Sequence, residues 1–511
     1  MNFPGNQKLK HVWSILQELE ARLAVLTSGL QASDARATAL AGECERLRQE
    51  NKTLLNQLVQ AAARNMAASG DHRLIPAHEN AGAPASRKLR IGLFDNLANQ
   101  AFITARAWRK LGIQVDLVLQ RGAIDQHVLN WPEWEECEVE GDDRQALAAA
   151  ASGWQAPAFL REVAYDNELQ SRYAGRPEAA EEVAALYHEA FGRVLPSDHA
   201  LVLAQYMGSW PYIQAMNDYD VVMVSMSAIY LAPFSPKPFV LCPLGGDLYL
   251  RSFEQDTVGL LFRTAFRQAA HLSLPETDYF TYVERLATTA PRSFMPLIVD
   301  TDVYAPGEER DLRARWQTQV GGERFLLGVC RQDWLWKGSD KLIRAFARFR
   351  DRPEGAGWRL LLQSWGADIT RSRALVTELG LDDVTLWLPM CSKPLLRRRQ
   401  RAADVVADQF VMEGYGASVL ECLAAGKAVM IRPVPESAKH HFRHGPPPFV
   451  AATTEDDILA ALGALCDQSE RDRIGNASRA WVEREHGYRV LTPFYQEMLE
   501  AAADHRKGGR S

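Results

Sequence analysis

The chain has no C-x-x-C pair. Its seven cysteines, at positions 44, 137, 242, 330, 391, 422 and 466, lie scattered through 511 residues. That spacing excludes a zinc ribbon or a dense disulfide framework and fits a reducing cytoplasm. Long apolar runs are also missing. The best stretch, 221–234, is interrupted by Ser225 and Ser227 and falls short of the ~20 residues a spanning helix needs. The first residues, MNFPGNQKLKHVW, lack the apolar core of a signal peptide. A soluble cytoplasmic protein is expected, with at most peripheral association at the inner face of a membrane. No charge of one sign dominates: the net charge of −6 leaves no electrostatic footprint for nucleic acid. Apolar residues at 47% and charged residues at 24% exclude a wholly disordered or collagen-like chain, and the length allows two or three domains.

What is present begins with a heptad pattern. Leu9, Val12, Leu16, Leu19, Leu23, Leu26, Leu30, Ser33, Ala37, Leu40, Cys44, Leu47, Asn51, Leu54, Leu58 and Ala61 alternate spacings of three and four without an internal proline. A sustained 3.5-residue period predicts a coiled coil over 1–66, a rod of roughly 80 Å at ~1.5 Å per residue. Asn51 at an a position favours a parallel, in-register homodimer. Residues 67–88, rich in Ala, Gly, Pro and Ser, read as a flexible linker.

From Leu89 the chain alternates short apolar runs with helical patterns. LRIGLF, QVDLVL, DVVMVS, PFVLC and HLSL read as strands of a first half, 89–295, with 123–215 a long, Trp-rich and largely helical elaboration. RFLLGVC, WRLLLQ, VTLWL, DVVAD and KAVMIR read as strands of a second half, 296–485. Residues 486–511 form a last helix and tail. This is an α/β chain of two Rossmann-like halves, whose ligands bind beyond the carboxyl ends of the strands in the cleft between them.

Chemistry concentrates in two segments of the second half. In DQFVMEGYGASVLECLAAGKAV, Gly414 and Gly416 allow close backbone approach, and the following helix aims its N–H groups at the loop, which suits phosphate. Glu413 lies in the loop and Glu421 inside the helix, placed to accept hydrogen bonds from two parts of one polyhydroxy ligand. In GVCRQDWLWKGSDKL, Arg331 and Lys337 put two cations at a strand end, where they can neutralise a diphosphate.

The segment EGYGASVLECLAAGKAV resembles the Glu-x7-Glu signature of retaining, nucleotide-sugar-dependent glycosyltransferases of the GT-B fold (glycosyl transferases group 1). CRQDWLWKG is similar to that family's Arg…Lys-Gly segment, and PLIVDTDVYAP to its inter-domain segment. The similarity is strong over 296–432 and weak over 123–215. It implies that Arg331 and Lys337 hold the donor diphosphate, that Glu413 contacts the transferred sugar, and that Glu421 holds the ribose. Backbone groups of Gly414, Tyr415, Gly416 and Ala417 would meet the diphosphate or the sugar. It further implies retention of anomeric configuration, no metal, and no cofactor beyond a UDP- or GDP-linked sugar. The acceptor would be a glycan, a lipid-linked sugar or a protein, in surface-polysaccharide or glycoconjugate assembly.

Several positions depart from the family pattern. The usually Gly-rich loop after the first strand is Asp95 to Gln100, where Asn96 and Asn99 carry the amides expected to meet acceptor or phosphate. Ser225 and Ser227 stand where many members have a His. Asp247, in PLGGDLYLR, is the best N-terminal site candidate. Asp300-Thr301-Asp302 spells a metal-binding Asp-x-Asp but falls in the inter-domain segment. His440, His441 and His444 sit in a Pro-rich stretch that reads as a solvated surface loop. KPLLRRRQR, 393–401, reads as an exposed helix face, with a patch for anionic lipid or acceptor phosphate as its alternative. Two other functions use the same residues: a coiled-coil scaffold with a degenerate transferase body, and a GT-B-fold nucleotide-sugar epimerase or phosphorylase.

Overall fold

A computed structural model describes residues 34–68, 88–121, 130–141 and 144–504. Two parallel sheets organise the chain. The first contains β1 (Ile91–Phe94), β2 (Val115–Arg121), β3 (Leu160–Ala164), β4 (Val221–Val224), β5 (Phe239–Leu241), β6 (His271–Leu274) and β7 (Arg292–Phe294), in the order β3-β2-β1-β4-β5-β6-β7. The second contains β8 (Arg324–Gly328), β9 (Trp358–Gln363), β10 (Thr385–Leu388), β11 (Val405–Ala407), β12 (Val429–Ile431) and β13 (Val450–Ala451), in the order β10-β9-β8-β11-β12-β13. Every pairing within them is parallel. Helices cover both faces, so the central strands read as continuous apolar runs. Strand order reverses at β1/β4 and at β8/β11, and these switch points open a crevice at the strand ends.

Three strands escaped the sequence reading. β3 lies inside the stretch expected to be largely helical, and β7 and β13 have only three and two residues. Around β3 the helical expectation holds, with helices Ala179–Phe191, Ser197–Ala204 and Trp210–Met216.

The N-terminal helix differs from the separate rod expected. It spans Asp34–Ala68, and its last turns bury Leu55, Leu58, Val59, Ala62, Ala63 and Met66 in the core of the first half. They pack against helices Ser197–Ala204 and Thr257–Gln268, and Gln60 Nε2 donates to the Gln255 carbonyl at 2.7 Å. The buried stripe is broader than the predicted Leu54–Leu58–Ala61 seam, as suits a helix lying on a body instead of along a single mate. The heptad positions before Asp34 lie outside the described residues, as does most of the predicted linker. Among the described residues no helix is long and apolar enough to cross a membrane.

The last helix, Tyr488–Asp504, returns to the first half. Tyr488, Leu491, Tyr495, Met498 and Leu499 join the core beneath β1, β2 and β4. Tyr495 packs against Trp108 with tilted rings 5.5 Å apart and donates to the carbonyls of Met295 and Pro296, each at 3.1 Å.

The basic run 393–401 is not a solvated face. Helix Lys393–Ala402 buries Lys393, Arg399 and Gln400. Its cations meet carboxylates from 135–140 of the first half: Arg397 with Glu135 at 3.3 Å, Arg398 with Glu138 at 2.9 Å, Arg399 with Glu140 at 2.5 Å. The sequence supplies both partners, EWEECEVE and KPLLRRRQR, but about 250 residues apart.

Candidate active site

Between the sheets lies a cleft of about 220 Å³. Lys337, Gln409, Glu413, Tyr415, Gly416 and Ala417 line it from the second half, and Leu97, Ala98, Gln100, Glu276, Asp278 and Tyr279 from the first. The chain after β8 turns through Asp333, whose main-chain N–H donates to Ser339 Oγ at 3.1 Å. Gly338 follows with φ +69°, and a Cβ there would stand 2.9 Å from Val411 Cγ2. This turn presents Lys337, whose Nζ donates to Gln409 Oε1. Arg331 is not among the lining residues. Its guanidinium is held by Asp333, with Nη2 to Oδ2 at 2.8 Å.

After β11, Gly414 takes φ +83°, and a Cβ there would lie 3.1 Å from Glu276 Oε2. Gln409 Nε2 donates to the Gly414 carbonyl at 3.0 Å. Glu413 is half-exposed and accepts from Arg432 Nη2 at 2.7 Å. Tyr415 is buried against Phe442, Phe449 and Trp481, with its hydroxyl 3.3 Å from His486 Nε2. Burial holds the His486 imidazolium pKa down at about 4, so this ring is neutral. Gly416 caps helix Ala417–Ala424, which carries Glu421 on its buried face. Glu421 is only 3% exposed; it pairs with Lys393 Nζ and meets Gln400 Nε2 at 3.5 Å.

The cleft has two carboxyls the sequence reading missed, Glu276 and Asp278. Both directly follow β6, a position that could have marked them. Glu276 Oε2 faces the Tyr415 N–H at 3.5 Å. Burial raises its carboxyl well above the usual range. Burial and the nearby Glu413 charge lift Asp278 to about 6.

In the first half the polar candidates bond mainly to their own fold. Asn96 Nδ2 donates to Asn99 Oδ1 at 2.7 Å and to the Asn130 carbonyl at 2.8 Å, while its Oδ1 accepts from Phe102 N–H at 3.0 Å. Asn99 Nδ2 donates to the Trp131 carbonyl at 2.9 Å. The loop has the left-handed backbone that glycines would supply, but at Asp95, Ala98 and Asn99, with φ of 75°, 48° and 61°. Asp95 is fixed by Ser227, whose N–H donates at 2.9 Å. Ser225 Oγ faces the Phe94 carbonyl. Asp247 accepts from the N–H groups of Leu244, Gly245, Leu248 and Met226, and burial lifts it to about 6. A second cavity, of about 730 Å³, lies beside these loops, lined by Asp95, Ser227, Asp247, Tyr206, Tyr230 and Phe262.

The remaining motifs are tied up elsewhere. Asp300 meets Lys110 at 2.8 Å, and Asp302 meets Arg489 at 2.9 Å. His444 meets Glu485 at 2.8 Å, and His441 stacks on Phe280 at 4.7 Å. Among the described residues no cluster of three His, Cys, Asp or Glu side chains could hold a metal ion.

Residues 313–481 match the family described as glycosyl transferases group 1. The D-inositol 3-phosphate glycosyltransferase of Kribbella flavida is 29% identical over 198 residues, covering 37% of this chain and 46% of the relative. That of Saccharomonospora viridis is 32% identical over 162 residues, covering 30% and 37%. The chain thus spans less than half the length of these curated relatives. Anabaena Alr3699/HepE, solved with UDP-glucose, superposes with a TM-score of 0.56 at 14% identity, covering 81% of this chain and 100% of that one. Sucrose-phosphate synthase from Thermosynechococcus elongatus gives 0.54 at 16%, with the same coverage. The second half thus carries the match to the group 1 glycosyl transferases, and the two facing parallel sheets give the chain the GT-B fold of these solved structures.

Proposed function

We propose that the protein is a retaining glycosyltransferase that moves a sugar from a nucleotide-sugar donor to an acceptor held by the first half. The observation that carries this is the convergence of Lys337, Glu413 and the segment Tyr415–Ala417 on one cleft at the strand ends. Lys337, backed by Arg331, neutralises the diphosphate as charge develops on the leaving phosphate. The N–H groups at the start of helix Ala417–Ala424 add to that stabilisation. Glu413 binds the transferred sugar, and Glu421 the ribose. The acceptor attacks from the face the phosphate leaves, so configuration is retained without a metal. Asp247, Asn96 and Asn99 fix the loops that separate the donor cleft from the larger cavity, which takes the acceptor. That acceptor is a glycan, a lipid-linked sugar or a protein in surface-polysaccharide or glycoconjugate assembly, reached from the cytoplasmic side. The heptads before Leu54 pair two copies in parallel, which light scattering with and without residues 1–53 tests.

UDP is the first base to try, because Anabaena HepE, of the same fold, was solved with UDP-glucose. A thermal-shift panel of UDP-, GDP- and ADP-sugars tests the reading, since a bound donor stabilises by RT ln(1 + [L]/Kd). One donor should raise the melting temperature of the wild type, and Lys337→Ala should abolish the rise. No shift with any donor would sink the proposal. Nucleotide release that needs an acceptor distinguishes transfer from epimerisation.

A further inference from the structure

Residues 131–141 form a strap from the first half that lies on the second half beside Glu421. Its backbone pairs antiparallel with the segment after β10. The Gly141 N–H donates to the Met390 carbonyl at 2.6 Å, and the Ser392 N–H to the Val139 carbonyl at 2.9 Å. Trp134 and Val139 pack on Met390, with Trp131 and Trp365 at the margin. Glu135, in the strap's single helical turn, lies within electrostatic reach of both Lys393 and Glu421.

The contacts made on the second half are of a kind that can be exchanged. Ser392 occupies the N-cap position of helix Lys393–Ala402, yet its Oγ accepts from the strap's Val139 N–H at 2.8 Å and caps nothing in its own helix. Released, it can turn to the free N–H groups of that helix, the usual role of a serine there. Arg398 also holds Glu309 at 3.0 Å, Arg399 also donates to the Pro389 carbonyl at 2.6 Å, and Arg397 also lies over the Tyr304 ring at 5.2 Å. When the strap leaves, Arg398 therefore keeps a carboxylate, Arg399 a carbonyl and Arg397 an aromatic face, which lowers the penalty for an unpaired buried ion. The cost of detachment falls on the buried Tyr304 hydroxyl, which donates to Glu135 at 2.9 Å.

From this we infer that the acidic strap 131–141 is a latch over the nucleoside end of the donor cleft, and that donor entry requires its release from the basic helix 393–402. The inference rests on the proposed role of Glu421 toward the ribose. With the strap docked, Glu421 is sealed and spent on Lys393 and Gln400. With the strap away, Lys393 loses its cover and the carboxylate can exchange partners for ribose hydroxyls.

The fold offers a direct lock. Glu140 and the native Cys391 face each other as an isolated antiparallel pair. The flanking hydrogen bonds make theirs the non-hydrogen-bonded position, where side chains approach most closely. Glu140→Cys in a Cys137→Ser background should form a disulfide to Cys391 on oxidation, counted as lost free thiols and mapped by peptide masses. UDP, GDP and ADP are then titrated against the oxidised and the dithiothreitol-reduced full chain, with the Cys391→Ser version as control. The expected result is at least a tenfold weaker affinity in the oxidised form, restored on reduction. The exposed pair change Glu138→Gln/Glu140→Gln, which leaves the buried residues alone, should tighten nucleotide binding by at least about twofold. Equal affinity in both redox states, tighter binding when oxidised, or failure of the disulfide to form would each overturn the latch. If the reduced protein binds none of the three nucleotides, the donor-site reading itself falls, and the latch with it.

Discussion

After β1 the chain turns on Asp95, Ala98 and Asn99, all in left-handed backbone, and fastens the loop to Ser227, Asn130 and Trp131. After β11 it turns on Gly414 and leaves Glu413 and Gly416 facing the cleft. Both loops lie at the switch points of similar sheets, the first after the strand that opens its half and the second after that strand's neighbour across the switch. The first holds strained non-glycine residues in place with side-chain hydrogen bonds, at an expected cost of order 1–3 kcal/mol per strained residue. The second needs no such support, because glycine takes φ > 0 freely. Only the second half falls inside the family match. The glycine-based loop thus lies in the half that matches the family, and the loop braced by side chains lies in the half outside the match, beside the strap and the second cavity.

The sharpest way to break this contrast is Lys337→Ala. It should lower acceptor-dependent nucleotide release by about 10²–10³-fold, the scale of losing one preorganised charge partner, while circular dichroism and melting stay near wild type. Turnover within threefold of wild type would show that the second half is not the donor side. Next is Leu58→Ala, a truncation in the fully buried stripe of the N-terminal helix. Loss of about 2–5 kcal/mol in denaturant titration is expected; a loss below 0.5 kcal/mol would return that helix to the status of a detached rod. Asn96→Ala removes three hydrogen bonds, two of them buried, and should cost about 2–3 kcal/mol of stability. Unchanged stability with lost transfer would make Asn96 a ligand contact instead of a loop support.

The smallest effect concerns pH. Asp278 is raised to about 6 from 3.8, so the native state holds its proton more tightly than the unfolded chain does. This carboxyl's favourable contribution to stability is fully present below about 4 and is lost as pH rises through 6. Above 6 its charge also opposes a diphosphate across the cleft. Affinity for a nucleotide sugar should therefore fall by roughly fivefold, about 1 kcal/mol, between pH 5 and 7. Asp278→Asn should flatten that dependence; an unchanged slope would remove Asp278 from the cleft.

Much of this was legible in the sequence, and the gaps have physical causes. The central strands β8, β9 and β11 are buried on both sides and read as plain apolar runs. β3 is an edge strand with Arg161 and Glu162 exposed, so it carries no such signal. The Glu413 loop was readable because glycines and helix start are contiguous. Glu276 reaches the same cleft from the other sheet, a proximity no local pattern reports. The run 393–401 was read correctly as a helix but wrongly as solvated, since its carboxylate partners are distant in sequence. The N-terminal heptads were readable as a helix, but periodicity alone does not say whether a stripe faces a mate or the body.

The returning helix Tyr488–Asp504 has a consequence for synthesis. Tyr488, Leu491, Tyr495 and Leu499 are core residues of the first sheet's lower face, yet they leave the ribosome about 200 residues after β7 is complete. At 5–20 residues per second the first half therefore waits roughly 10–40 s with an apolar face uncovered. During that interval the nascent chain is a natural client for chaperones. Its maturation should be timed by the emergence of the final helix and not by that of the domain it completes.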